Sequence, residues 1–221
     1  MEWVRKLAFR YTSGLLSVLQ KMGQSTEMIS LQSVISLFLY QILLDQLPEA
    51  RKTRLIWSWT VFIVFGEQKF THIVIACNTA HIFIDQIEET LGSRPVSLIE
   101  GTTNYIQQKG IKRVGLLASP TTLKLKLYES PLKSLGIIVT LPDSEQQVRI
   151  EELNRKTIAG NFSLVNQLLF EINRLKTETD VDQILLGCTE LSVIAEVNNG
   201  IVGTIDPLTV VVNEIFNPNQ L

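Results

Sequence analysis

Short apolar runs alternate with amphipathic segments from Lys69 onward, and this pattern predicts the fold of that part of the chain. The predicted strands are 72–76, 95–99, 112–117, 137–140, 182–187 and 201–205. The predicted helices are 79–91, 101–109, 121–135, 145–158, 162–177, 189–195 and 207–216. Strands and helices that alternate in this way indicate an α/β, doubly wound fold with mainly parallel sheets.

The first 68 residues lack this regular punctuation. No glycine occurs between Gly23 and Gly66, and Pro48 is the only proline of the stretch. We expect segment 28–44 to be a buried helix and segment 55–65 to be a strand or two. Neither is interpreted as a membrane span, because the first contains several Ser and Gln residues and the second is shorter than the roughly 20 residues that a helical span needs.

Composition excludes some classes of partner. The chain has 221 residues, a formal net charge of −2 and no basic block, so neither nucleic acid nor an anionic membrane is an expected partner. Only two cysteines are present, and the N-terminal segment does not have the pattern of a secretory signal peptide. These features predict a cytoplasmic protein whose cysteines stay reduced.

The two cysteines occupy similar positions in the pattern. Cys77 and Cys188 each end a short apolar run that is typical of a buried parallel strand. Asn78 and Thr189 follow them, and both residue types commonly cap helix N-termini. A helix that starts there would favour the thiolate and bind a substrate carboxylate through its free N–H groups. We therefore expect two thiols, one per half of the chain, to face one substrate from opposite sides.

Several segments together resemble the aspartate/glutamate racemase family. They are Cys77-Asn78-Thr79-Ala80-His81, Ser97-Leu98-Ile99-Glu100-Gly101-Thr102, Val114-Gly115-Leu116-Leu117-Ala118-Ser119-Pro120-Thr121-Thr122, Gly187-Cys188-Thr189-Glu190-Leu191 and Ile205-Asp206-Pro207. The first and fourth are similar to the two cysteine motifs of the family, and the whole resemblance covers about residues 70–212. His81 and the Glu190-Leu191 pair place the chain nearer to aspartate racemase than to glutamate racemase.

The resemblance implies two pseudosymmetric lobes with the active site between them. We assign 1–99 plus 208–221 to the N-terminal lobe, with 1–68 divergent, and 100–207 to the C-terminal lobe. The implied reaction is racemisation of an amino acid or dicarboxylate substrate without a metal or other cofactor, and the implied assembly is a homodimer. The expected catalytic residues are Cys77 and Cys188. The expected substrate-binding residues are Asn78, Thr79, Ser119, Thr122, Thr189 and Glu190, although capping alone would explain either Ser119 or Thr122.

Three departures from the family pattern keep alternatives open. The glycine-rich opening motif survives only as a trace at 21–24, and the best match to the Asp-Arg-Thr box is the imperfect segment 48–54. Ile158 stands where aspartate racemases often carry a lysine. The chain could instead be an isomerase or decarboxylase of another small carboxylic acid, or a degenerate, inactive relative. His72 and His81 fall on different predicted elements, so they do not indicate a metal site.

Overall fold

The computed structural model describes residues 74–216. These residues belong to two compact units, of which the first ends at Val96 and the second begins at Ser97. The predicted buried segments 28–44 and 55–65 lie outside the described residues. Within the described part, no helix is both long enough and apolar enough to cross a membrane.

The described part of the first unit is small. Val74 and Val96 form a parallel bridge. A short 3₁₀ helix, Thr79–Phe83, leads into helix α1, Ile84–Leu91. Gly92 ends α1 with a φ of 66°, a left-handed conformation that glycine adopts without strain. The buried apolar residues of this part are Ile75, Ala80 and Ile87, against which Cys77 and Phe83 pack.

The second unit is built on a parallel sheet of four strands. They are β1 (Arg113–Ala118), β2 (Ile138–Thr140), β3 (Gln183–Gly187) and β4 (Thr204–Ile205), in the spatial order β2-β1-β3-β4. All three strand pairs are parallel. The predicted α/β fold with a parallel sheet is therefore confirmed. The strand order reverses between β1 and β3, which is where open α/β sheets bind ligands, beyond the carboxyl ends of the strands.

Helices cover both faces of this sheet. They are α2 (Leu98–Gln108), α3 (Pro120–Lys124), α4 (Glu129–Ser134), α5 (Ser144–Ile158), α6 (Val165–Glu178), α7 (Thr189–Glu196) and α8 (Pro207–Phe216). Ile184 and Leu186 of β3 pack with residues of α5, α6 and α7. Leu185 packs with residues of α2, α4 and α8 instead. Successive side chains of a strand point to opposite faces, so a strand buried on both faces is apolar throughout.

The last helix packs within the second unit. Helix α8 contacts α2, and the contact is close at Gly101, where an added Cβ would lie 2.7 Å from Val211 Cγ2. The assignment of 1–99 plus 208–221 to one lobe and of 100–207 to the other stays a prediction.

Two predicted elements differ from the structure for identifiable reasons. The predicted strand 95–99 ends early because Ser97 caps α2, its Oγ accepting a hydrogen bond of 3.1 Å from the N–H of Glu100. The predicted helix 121–135 is split into α3 and α4. Pro131 has no N–H for the carbonyl four residues earlier, so a continuous helix would lose a hydrogen bond there, and Pro131 instead lies in the first turn of α4.

Candidate active site

Cys188 lies directly after the last residue of β3, at the carboxyl edge of the sheet. It is the N-cap residue of α7, with extended backbone angles (φ −145°, ψ 130°), and its carbonyl accepts the N–H groups of Leu191 and Ser192. The prediction that Thr189 caps this helix is therefore wrong, since Thr189 is already the first helical residue and no side chain caps α7. The first N–H groups of a helix have no partner within it, which leaves an anion-binding end beside the thiol.

The thiol of Cys188 is in contact with a carboxylate. Cys188 is 7% exposed, and its Sγ donates a hydrogen bond of 2.6 Å to Oε2 of Glu190. The same oxygen accepts a longer hydrogen bond of 3.4 Å from the hydroxyl of Thr189. Three residues predicted for the site thus share one hydrogen-bonded cluster at the start of α7.

Ser119 and Thr122 follow the neighbouring strand. Ala118, the last residue of β1, pairs with Gly187, the last residue of β3. Ser119 and Cys188 are the next residues of the two strands and therefore lie at the same edge of the sheet. Ser119 caps α3 by accepting a hydrogen bond of 3.2 Å from the N–H of Thr122, and the two hydroxyls lie 3.0 Å apart. The cap is thus Ser119, while Thr122 is almost fully buried. The two strand ends bring these predicted residues to the point where the strand order reverses.

The surroundings of Cys77 differ from those of Cys188. Asn78 has helical backbone angles (φ −59°, ψ −46°) and makes no side-chain cap, so the prediction that it caps a helix is wrong. A capping residue normally has extended angles, which Asn78 lacks. The helix that begins at Thr79 is a single 3₁₀ segment, and its dipole is correspondingly small. His81 is buried, and its Nδ1 lies 2.8 Å from the carbonyl oxygen of Cys77, which fixes the orientation of the ring.

Tyr128 is a buried neighbour of Cys188 that the sequence analysis did not identify. Burial raises the pKa of Tyr128 well above 10, and electrostatic interactions with Asp206 and with the ionised form of Cys188 raise it further. The hydroxyl of Thr102 lies close enough to lower the pKa of Tyr128, although it makes no hydrogen bond of ordinary geometry. The phenol is therefore neutral at physiological pH. Tyr128 falls inside the predicted helix 121–135, in a run where leucines alternate with lysines, and this pattern carries no signal that Tyr128 approaches Cys188.

Asp206 links the end of β4 to the start of α7. Its Oδ1 accepts a hydrogen bond of 2.7 Å from the hydroxyl of Ser192 and one of 3.1 Å from the N–H of Leu208. Oδ2 accepts a third bond, of 2.7 Å, from Thr209. Ser192 also lies 3.5 Å from the carbonyl oxygen of Cys188. An aspartate directly before Pro207 is a recognisable helix start, and that signal could have marked Asp206 as a residue that fixes this edge.

The described residues contain no group of three or more His, Cys, Asp or Glu side chains placed to hold a metal ion. Neither cysteine forms a disulfide.

The family of the chain follows from comparison with known proteins. The family model of the Asp/Glu/hydantoin racemases matches residues 52–215. The chain belongs to the Asp/Glu/hydantoin racemase family. The matched range contains both cysteine motifs and the whole of the described parallel sheet.

Individual relatives include three racemases. A glutamate racemase of Bacillus cereus is 24% identical over 162 residues, which is 71% of this chain and 58% of the relative. The broad specificity amino-acid racemase RacX of Bacillus subtilis is 27% identical over 124 residues, which is 56% of this chain and 54% of the relative. The solved structure of Picrophilus torridus aspartate racemase is 26% identical with a TM-score of 0.51, and the match covers 64% of this chain and 60% of that one. The chain thus spans little more than half the length of these relatives.

Proposed function

We propose that this racemase-family protein inverts the Cα configuration of an amino acid, most favourably aspartate, without a cofactor and with Cys77 and Cys188 as the acid–base pair. The observation that carries the proposal is the position of Cys188, at the carboxyl end of β3 beside the start of α7 and in hydrogen-bond contact with Glu190. The family of the chain and the second cysteine motif at Cys77 support it.

The proposed reaction needs one thiolate and one thiol. The thiolate removes the proton from Cα, and the thiol on the other face of the carbon returns one. Negative charge develops on the α-carboxylate as the proton leaves, and N–H groups at the start of α7 would stabilise it. The hydroxyls of Thr122 and Thr189, together with Asn78 and Thr79, are the proposed ligands of that carboxylate.

The proposal also specifies the side chain of the substrate, as that of aspartate. An aspartate racemase and a glutamate racemase are both among the relatives, and RacX has broad specificity. Ile158, the last residue of α5, stands where aspartate racemases often have a lysine. Lys156 lies nearby but forms an exposed ion pair of 2.8 Å with Glu152, one turn earlier on the same helix. A second function, isomerisation or decarboxylation of a less anionic carboxylic acid, is favoured by this missing cation, and an inactive relative is the third alternative.

A substrate panel separates these alternatives. L-aspartate, L-glutamate, L-alanine and a set of small monocarboxylic and dicarboxylic acids would be incubated with the protein, and products resolved by chiral chromatography. The proposal expects D-aspartate to form at the highest rate, and expects both Cys77→Ala and Cys188→Ala to abolish it. Lys124→Ala is the matched control, because Lys124 is exposed two residues after Thr122 and its loss should leave the rate unchanged. Turnover of a monocarboxylic acid alone would favour the second function.

A homodimer and a cytoplasmic location are also part of the proposal. Both derive from the family resemblance and the reduced cysteines. Sedimentation velocity at several protein concentrations tests the assembly, and a monomer at all of them would contradict it.

A further inference from the structure

The contact between Cys188 and Glu190 joins two groups that can share one proton, since Sγ and Oε2 lie 2.6 Å apart. A free cysteine holds its proton up to about pH 8.5 and a free glutamate only to about pH 4.3, so sharing one proton favours a thiol that donates to a carboxylate. A thiolate 2.6 Å from an ionised carboxylate would instead place two negative charges together, which disfavours ionisation of the second group. Since Cys188 is 7% exposed, water screens this repulsion only weakly.

Two other titratable groups lie near Cys188. Tyr128 approaches from the segment between α3 and α4, and its phenol is neutral because burial raises its pKa. Asp206, at the start of α8, reaches the start of α7 through Ser192. On its core side, Cys188 packs in an apolar cluster with residues of α5, α6 and α7. The charged acidic groups on this side of Cys188 are thus Glu190 in direct contact and Asp206 through Ser192, whereas Tyr128 adds no charge.

We infer that Glu190 is a positioning residue that keeps Cys188 in its thiol form in the resting protein. Under the proposed function, on which the next step rests, Cys188 is then the proton donor and Cys77 the base in the first turnover. The S–H bond of Cys188 breaks with both electrons kept on sulfur, and the proton bonds to the electron pair on Cα. The resulting thiolate faces Glu190, so the repulsion favours its reprotonation by water. Cys77 releases to water the proton that it took from Cα, and the protein returns to the same resting form.

Alkylation of a single thiol tests this inference. Cys77→Ala leaves Cys188 as the only cysteine of the chain, so the uptake of iodoacetamide, followed by intact mass between pH 6 and 10.5, reports on Cys188 alone. We expect the midpoint of the rate profile to lie above about pH 8.5, the value for a free cysteine. Adding Glu190→Gln removes the charge but keeps an oxygen that can accept the hydrogen bond, and it should lower the midpoint by about one pH unit or more.

The rate well below the midpoint should rise less than the thiolate fraction does. A one-unit shift makes the thiolate about ten times more abundant, but a less basic thiolate is also a weaker nucleophile, with a Brønsted coefficient of about 0.4–0.5. The two effects together predict alkylation about threefold faster at pH 7. A merely structural role of Glu190 would change the plateau rate at high pH through altered access, and it would leave the midpoint in place.

Two further variants in the Cys77→Ala background complete the design. Glu196→Gln removes the same charge from the other end of α7 and should leave the midpoint unchanged. Glu190→Asp keeps the charge and should retain a midpoint nearer to that of the parent. The inference is overturned if the parent midpoint lies at or below about pH 8.5, or if Glu190→Gln leaves it in place.

The result of the alkylation experiment does not depend on whether the protein racemises an amino acid. A midpoint lowered by Glu190→Gln supports the inferred coupling even in a protein that racemises no amino acid, and that combination would contradict only the proposed function. Racemisation of aspartate together with an unmoved midpoint would contradict only the inference.

Discussion

Replacing Gly187 with alanine tests how closely β1 and β3 approach each other beside Cys188. A Cβ at this position would lie 2.8 Å from Leu116 Cδ1 and 3.0 Å from Ala118 Cβ, both on the neighbouring strand. It would also lie 3.5 Å from Cδ2 of Tyr128, which is ordinary contact. The leucine terminus can rotate, but the alanine methyl is fixed to the backbone of β1, so the strand itself must shift.

This geometry sets the expected decrease in the free energy of unfolding. An extra methyl forced into a well-packed core costs about 1–3 kcal/mol. For a chain of this size, about 2 kcal/mol corresponds to a decrease in Tm of roughly 4–8 °C. Because Gly187 directly precedes Cys188, we also expect the variant to lose more of the proposed racemase activity than instability explains.

Urea unfolding followed by far-UV circular dichroism measures the change in the free energy of unfolding. Ala118→Gly supplies the control, since it removes the methyl that cannot move out of the way. The double variant should be less destabilised than the sum of the two single variants by about 0.5 kcal/mol or more. The reasoning is refuted if Gly187→Ala costs less than about 0.5 kcal/mol, or if the two changes are additive.

Three more perturbations test local features. Lys126 has a φ of 53°, and the left-handed penalty of about 1–2 kcal/mol exceeds the entropic cost of glycine, so Lys126→Gly should stabilise the protein by about 1 kcal/mol in urea unfolding, whereas Lys124→Gly in α3 should not. Ser97→Ala removes the cap of α2 and should lower the free energy of unfolding by about 1 kcal/mol; an unchanged value would contradict the capping role. The pKa of Asp182 is lowered, first by the hydrogen bond from the N–H of Lys112, so its contribution to stability is present above about pH 4 and is lost as the pH falls through the folded value. Asp182→Asn should therefore be less stable than the parent at pH 7, and the difference in Tm should shrink between pH 4 and pH 2; a difference that does not change with pH would contradict this.

The parts of the fold that could be predicted are those that depend on residues close in sequence. The residues of β1 and β3 form apolar runs because both faces of a central parallel strand are buried, and each run predicted a strand within one residue of the observed bounds. Helix α5 was predicted at 145–158 and is observed at Ser144–Ile158, since its apolar residues recur at helical spacing. Cys188 is correctly predicted at the end of an apolar strand, directly after β3. The predicted strand 72–76 before Cys77 is described only as a bridge at Val74.

The differences between the predicted and the observed elements have two kinds of cause. Some have local signals in the sequence, such as the Ser97-x-x-Glu100 pattern that starts α2 and the proline at position 131. Others were not local at all. The approach of Tyr128 to Cys188 depends on how the segment between α3 and α4 packs against the sheet. The link from Asp206 through Ser192 joins residues 14 positions apart, and no short-range pattern predicts it.

Exchange of the Cα proton is the most direct test of the central claim, that Cys77 and Cys188 form an acid–base pair acting at Cα. The purified protein would be incubated with L-aspartate in deuterated water, and the Cα proton signal followed by NMR, with Cys77→Ala and Cys188→Ala measured in parallel. We predict loss of the Cα proton signal with the parent protein and no loss with either variant. Absence of exchange from a folded parent protein with aspartate, glutamate and alanine, or exchange that survives loss of either thiol, would contradict it.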